Sequence, residues 1–266
     1  MLSRYPIFCI IFLTLFSCQE NKKKENSEVA NEENTEVIET TKKESSTEII
    51  PISHASAVLK TDNATIYIDP TGGAQPYTSY DDPDMVLITD IHGDHMNIET
   101  LDSLNLENSK LIVPQAVAEK LPASYTEKLV IINNGESKEI DGITIEAIPM
   151  YNLREEALKF HEKGRGNGYL LTINGERIYF SGDTEDIPEM RNLKDIDRAF
   201  VCMNLPYTMT VDKAADAVLA FKPKKVFPYH YRGTGGLSNV SKFKEIVNNG
   251  NPDIEVVQLD WYPNMD

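Results

Sequence analysis

The sequence predicts an α/β domain in which two β-rich halves pack sheet against sheet, with helices outside. Three observations carry this reading. Strand-like and helix-like segments alternate through both halves of the chain. Residues 85–89, MVLIT, form a continuous apolar run of the kind found in strands covered on both faces. Asn174-Gly175 separates two alternating runs, GYLLTI and ERIYF, which is a strong hairpin signal.

From the amino terminus, residues 1–17 carry one positive charge, Arg4, then a short apolar stretch from Tyr5 to Phe16. That stretch is too short to span a bilayer and reads as an export signal. Leu15-Phe16-Ser17-Cys18 resembles the lipobox of bacterial lipoproteins, which implies a lipoprotein signal peptide and a lipid on Cys18. The expected location is the bacterial cell envelope, with the membrane as a partner through that lipid. Gln19 after the cysteine favours the outer membrane over the inner. Residues 18–49 hold nine Glu and five Lys from Gln19 onward, with almost no large apolar side chains, and are expected to be a disordered tether. The globular domain is expected at residues 50–266.

Within it, AVLK and TIYID flank the turn TDNA as a hairpin over residues 56–69. After MVLIT and a histidine-rich loop, Asn97 is placed to cap a helix through IETLDSL. KLIVP, QAVAEKL and LVIIN continue as strand, helix, strand. ITIEAIPM is a strand, followed by the Asn174-Gly175 hairpin and the strand DRAFVCMN. TVDKAADAVLAFKP has Val211, Ala215, Val218 and Leu219 at helical spacing, with Pro223 past its end. KVFPYHY is a strand, SKFKEIVNN a helix and IEVVQLD a closing strand.

A net charge of −16, without a lysine-arginine patch, excludes nucleic acid held on a basic surface. Of the three cysteines only Cys202 falls in the domain, so no internal disulfide forms there. Its apolar surroundings, AFVCMN, read as core rather than as a nucleophile's setting.

Chemistry concentrates at three strand ends. Asp90-Ile91-His92-Gly93-Asp94-His95 follows MVLIT, where α/β folds place ligand sites. Ser181-Gly182-Asp183-Thr184 ends RIYF with a carboxylate at a tight turn, and Pro228-Tyr229-His230-Tyr231 ends KVF with an imidazole. Imidazole and carboxylate ligands suit zinc, or manganese and iron where carboxylates are numerous.

DIHGDH, SGDT and PYHY, in that order, resemble the metallo-β-lactamase superfamily, whose signature is HxHxDH followed by a histidine, a GDT-like aspartate and a last histidine. ISHAS, IYIDP and GYLLTINGERIYFSGDTEDIPEM are similar to its lactonase-like branch, which includes L-ascorbate-6-phosphate lactonase. The resemblance implies a four-layer αββα sandwich and a metal-dependent hydrolase acting on a lactone, phosphoester or similar small molecule. It implies two divalent metal ions, zinc first, with manganese or iron as alternatives. His92 and His161 would serve one, Asp94, His95 and His230 the other, and Asp183 would bridge them. A water acidified from ~15.7 toward ~7 would attack, oriented by Asp94 as the catalytic carboxylate.

Two departures matter. Asp90 stands at the first histidine position, so the first metal either gains a carboxylate, which favours a harder ion, or loses a ligand. Asn152 stands where many relatives carry the third histidine, and His161, nine residues on, is taken in its place. His54 reads as a core histidine or one that orients a ligand. Asp69 reads as a strand terminator or an orienting carboxylate. Arg165, Tyr207, Tyr229 and Arg232 are loop-side residues that could touch substrate. The alternative function is a non-catalytic envelope lipoprotein with a degenerate one-metal or metal-free site.

Overall fold

A computed structural model describes residues 47–263; the expected leader, Cys18 and all but the end of the tether lie outside the described residues. The first sheet contains β1 (Glu48–Ser53), β2 (Ser56–Lys60), β3 (Thr65–Ile68), β4 (Met85–Leu87), β5 (Lys110–Val113) and β6 (Leu129–Ile131), in that spatial order. It is antiparallel through β3 and parallel from β3 onward. β1 starts at Glu48, two residues before the expected domain boundary.

The second sheet begins with β7 (Ser137–Ile140), β8 (Ile143–Met150), β9 (Gly166–Ile173), β10 (Glu176–Phe180), β11 (Arg198–Cys202) and β12 (Lys225–Tyr229). A two-stranded ribbon, β13 (Arg232–Gly233) with β14 (Gly236–Leu237), follows. β15 (Glu255–Val256) then closes the sheet in the order β15-β12-β11-β10-β9-β8-β7. Only two residues of the expected closing strand pair with the sheet.

Strand period 2 builds the layers. In β3 and β4, Ile66, Ile68, Met85 and Leu87 join the core shared with Ile145, Tyr169 and Leu171 of the second sheet. Tyr67 and Val86, on the opposite face, pack with Leu101 of α1 (Ile98–Ser103) and Val117 of α2 (Gln115–Ala118). After α3 (Pro188–Arg191), α4 (Val211–Phe221) and α5 (Val240–Gly250) add Val218 and Phe243 to the larger core. The expected four-layer αββα sandwich is the fold.

Local chemistry sets the boundaries. Asn97 accepts from Thr100 N at 2.8 Å and starts α1, as expected. The helix expected through QAVAEKL is only Gln115–Ala118 long. Asn174 (φ 51°) and Gly175 (φ 86°) take the two left-handed positions that a tight hairpin between β9 and β10 requires. Thr210 caps α4 through Lys213 N.

Two bonds tie the sheets at one edge: Tyr169 Oη donates to Ile88 O at 2.9 Å, and Asn167 N donates to Thr89 O at 2.9 Å. At that edge β3, β4, β10, β11 and β12 all end, because β3 and β4 are parallel and so are β10, β11 and β12.

Candidate metal centre

The residues just past β3 and β4 build the first wall. Asp69, fully buried, accepts from Thr89 N (2.7 Å) and Thr89 Oγ1 (2.6 Å). Its Oδ2 also lies 2.8 Å from His95 Nδ1. A carboxylate there requires the proton on Nδ1, so Nε2 is the nitrogen that His95 turns toward the centre.

Nε2 faces three other polar groups. His230 Nε2, from the end of β12, is 3.2 Å away, and Asp183 Oδ2, from the end of β10, is 3.4 Å away. Asp94 Oδ1 stands at 3.9 Å. His230 Nε2 lies 3.4 Å from both Asp94 Oδ2 and Asp183 Oδ1. Gly182, at φ 59°, makes the turn that delivers Asp183, and a Cβ there would sit 2.6 Å from Met150 Sδ.

A second group adjoins the first through Asp183, whose Oδ2 lies 3.1 Å from His161 Nε2. His161 Nε2 is 4.0 Å from Asp90 Oδ2, which is 2.8 Å from His92 Nδ1. His161 is held by Tyr207 O, 3.2 Å from its Nδ1. Asn152 donates its amide to Ala157 O and Tyr207 O at 2.9 and 2.7 Å, so it shapes the loop that carries His161.

Asp90 is no solvated loop carboxylate. It is fully buried and paired by two bonds with Arg165, Nε to Oδ1 at 3.0 Å and Nη2 to Oδ2 at 2.8 Å. Arg165 Nη2 also donates to Phe160 O, next to His161. One guanidinium therefore ties the loop of Asp90 and His92 to the loop of His161, and balances the charge that Asp90 adds.

The electrostatics follow from these contacts. Burial alone would push Asp183 up, but the imidazoles of His230, His95 and His161 outweigh it and hold the carboxyl well below its usual range. Burial likewise opposes ionisation of Asp94, yet hydrogen bonds from His230 and His54 keep it a carboxylate. Burial lowers His95, while Asp183 and Asp69 raise it well above the ordinary imidazole value. Asp90 is depressed because His92 and Arg165 overcome its desolvation.

Imidazole nitrogens and carboxylate oxygens thus converge in two adjoining groups that Asp183 joins. Asp183 Oδ1 is buried with no hydrogen bond. Cations satisfy such a donor set, and the residues present fit divalent metal. Three ligand groupings lie within 4.8 Å: Asp90-His92-His161, His95-Asp183-His230 and His54-Asp94-His230.

All seven residues expected as ligands, His92, Asp94, His95, His161, Asp183, His230 and Asp90, come together. His54 joins them from the β1–β2 turn. Its Nδ1 is 2.7 Å from Tyr262 Oη, and Nε2 is 3.3 Å from Asp94 Oδ2. Because Tyr262 Oη accepts from Arg232 N, its proton goes to Nδ1 and His54 donates through Nε2 to Asp94. His54 is a holder of Asp94. Sequence reasoning missed the pairing of Arg165; the signal was the buried carboxylate at position 90, which demands a cation. Tyr229 is fully buried in the core and does not face substrate. Cys202 is also buried, its thiol pushed up to about 12 by desolvation, and takes no nucleophilic part.

Above the centre opens a cavity of about 330 Å³ lined by His92, Asp94, Phe160, His161, Asp183, Asn204 and Tyr207. Phe160 and Tyr207 meet edge to face at 5.1 Å to form its wall.

Comparison with known proteins agrees with this picture. Residues 48–230 match the family described as beta-lactamase superfamily domain. A protein from Parabacteroides distasonis, named as a metal-dependent hydrolase, has 37% identity and a TM-score of 0.73; the match covers 81% of this chain and 94% of that one. A UPF0173 metal-dependent hydrolase of Pyrococcus horikoshii is 28% identical over 206 residues, covering 74% of this chain and 90% of the relative. Igni18, a metallo hydrolase from Ignicoccus hospitalis, shares the fold at 21% identity with a TM-score of 0.67, over 80% of this chain and 94% of its own.

Proposed function

Because the chain belongs to the metallo-β-lactamase superfamily, we propose that it is a metal-dependent hydrolase with a two-cation centre. Asp90, His92, His161 and Asp183 would hold one ion, and Asp94, His95, His230 and Asp183 the other. The observation that carries this is the 3.2 Å approach of His95 Nε2 to His230 Nε2 with carboxylate oxygens around them. Nitrogens so close must share either a proton or a cation, and a divalent ion would take the place of the protons that now link the imidazoles to Asp94 and Asp183. Bound divalent cations supply Lewis acidity toward a carbonyl or phosphoryl oxygen and make water a stronger acid.

The chain's own residues do the rest. Asp94, held by the Tyr262–His54 chain, orients the attacking water with a fixed carboxylate. Asp69 fixes the tautomer of His95. Phe160 and Tyr207 exclude water from one side and give a flat apolar surface to the non-reacting part of the substrate. Among the described residues no lysine or arginine lines this cavity. A phosphorylated arm would meet no cationic side chain, so the reading favours an uncharged lactone or ester over a sugar phosphate, while keeping lactonase chemistry. Arg165 offsets Asp90, leaving the first position with the net charge an imidazole would give; zinc is the ion expected.

Metal analysis after zinc loading, with a hydrolysis screen over lactones, esters and phosphoesters, tests the reading. Two zinc ions per chain and turnover of a lactone or ester are expected. Fewer than one ion per chain, or no turnover at full loading, would count against it and toward the non-catalytic lipoprotein. The LFSC motif further supports export and lipidation at Cys18.

A further inference from the structure

Asn204 follows β11, between the strand ends that supply Asp183 and His230, and lines the cavity although it is only 2% exposed. Its hydrogen bonds are nearly all committed. Tyr207 N and Thr208 N donate to Asn204 O at 2.9 and 3.1 Å. Asn204 N donates to Thr208 Oγ1 at 3.0 Å. That bond uses the hydroxyl as an acceptor, so its single proton goes to Asn204 Oδ1, 2.5 Å away.

The side-chain amide is therefore fixed end for end, and its NH₂ is the end left over. Among the described residues Nδ2 has no partner. That donor belongs to a residue lining the cavity, where an oxygen of a bound molecule can meet it. The neighbouring polar groups in the cavity, Asp94, Asp183 and His161, offer oxygens and lone pairs suited to cations. Asn204 offers N–H.

Resting on the hydrolase reading above, we propose that Asn204 Nδ2 is a catalytic hydrogen-bond donor to the substrate oxygen on which negative charge develops. When water adds to a lactone or ester carbonyl, the carbon–oxygen π pair moves onto that oxygen and the carbon becomes tetrahedral. The charge is then lost as the carbonyl re-forms and the carbon–oxygen single bond breaks, the leaving alkoxide taking the proton that the attacking water gave up to Asp94. A donor clamped by Thr208 in a buried cavity needs no reorientation at that moment, which is when such groups contribute most.

The test uses the zinc-loaded full chain, with Asn204→Ala and the isosteric Asn204→Asp, which keeps an acceptor for Thr208 but lacks the N–H. Zinc content, Tm, kcat and KM are measured on a lactone or ester that the unsubstituted protein hydrolyses. Calorimetric binding of inorganic phosphate, a tetrahedral oxyanion, is measured alongside. Both variants should keep two zinc ions and a KM within about three-fold, with kcat lower by about 10²–10³. Phosphate should bind about ten-fold more weakly. An unchanged kcat and phosphate affinity in Asn204→Asp would overturn the assignment. If the unsubstituted protein hydrolyses nothing, the functional reading fails while the phosphate arm still decides Asn204. Lost affinity supports the donor; equal affinity, or no phosphate binding at all, overturns it.

Discussion

Replacing Arg165 by Met removes the guanidinium that pairs with Asp90 while keeping much of the side-chain volume. Asp90 is fully buried and Arg165 only 17% exposed at its side chain, so the loss is not screened by water as it would be at the surface. Breaking such a pair from one side costs about 3–5 kcal/mol. His92 Nδ1, 2.8 Å from Asp90, remains as a partner and places the cost near the lower end. For a domain of this size each kcal/mol moves Tm by about 2–4 °C, giving a fall of roughly 6–12 °C. The assay is thermal unfolding of chelator-treated protein at pH 7, followed by zinc titration. Zinc should restore more stability to Arg165→Met than it adds to the unsubstituted chain, because a cation then supplies the missing charge. Asp90→Asn/Arg165→Met should be more stable than Arg165→Met alone without metal. Asp90 is depressed in the fold, so the pair's contribution is present above the ordinary carboxyl value of 3.8 and is lost as pH falls through the lower folded value. A Tm change under about 1 °C, or a double variant no better than the single, would refute the claim that Arg165 exists to balance Asp90.

Other expectations concern the same centre and the amino terminus. His95 is raised in the metal-free fold, so its contribution is present below about pH 6.5 and lost as pH rises through the folded value. Chelated protein should therefore lose Tm above neutrality while zinc-loaded protein does not; parallel curves would contradict the assignment. Asp69→Asn weakens the acceptor that sets the His95 tautomer and should lower zinc affinity 10–100-fold, to about that extent, in a competition titration. Unchanged affinity would remove Asp69 from the site. Cys18→Ser should move the protein from the membrane fraction to the soluble fraction of an expressing bacterium, and retention in membranes would argue against lipidation.

The fold was legible wherever local chemistry decides structure. Asn97 and Thr210 behave as caps, and Asn174-Gly175 takes the left-handed pair that its hairpin requires. β1 and β7 were not read because both are sheet edges. EIIPIS carries a proline and a register shift, and the first three residues of SKEI face water, so neither shows the clean alternation of a half-buried strand. The candidate ligands were legible because the DIHGDH, GD and PYH segments each end a strand. Their supporting partners were not. Asp90 meets Arg165 across 75 positions and His54 meets Tyr262 across 208. No local pattern foretells such meetings. Asn204 hid inside an apolar run, and its role emerges only once Thr208 is seen to lock the amide.

Three non-glycine residues with left-handed backbone, His54 (φ 56°), Asp69 (φ 42°) and His230 (φ 45°), all stand at the centre. Conformations of that kind carry local strain that the surrounding structure must offset. Anyone engineering a hardier version by asking which residues the backbone itself would prefer will be led to glycine or asparagine at these places. At Asp69 that exchange would strip the acceptor that Thr89 and His95 share, so a durable variant is better sought away from the cluster, as on edge strand β7, whose first three residues face water.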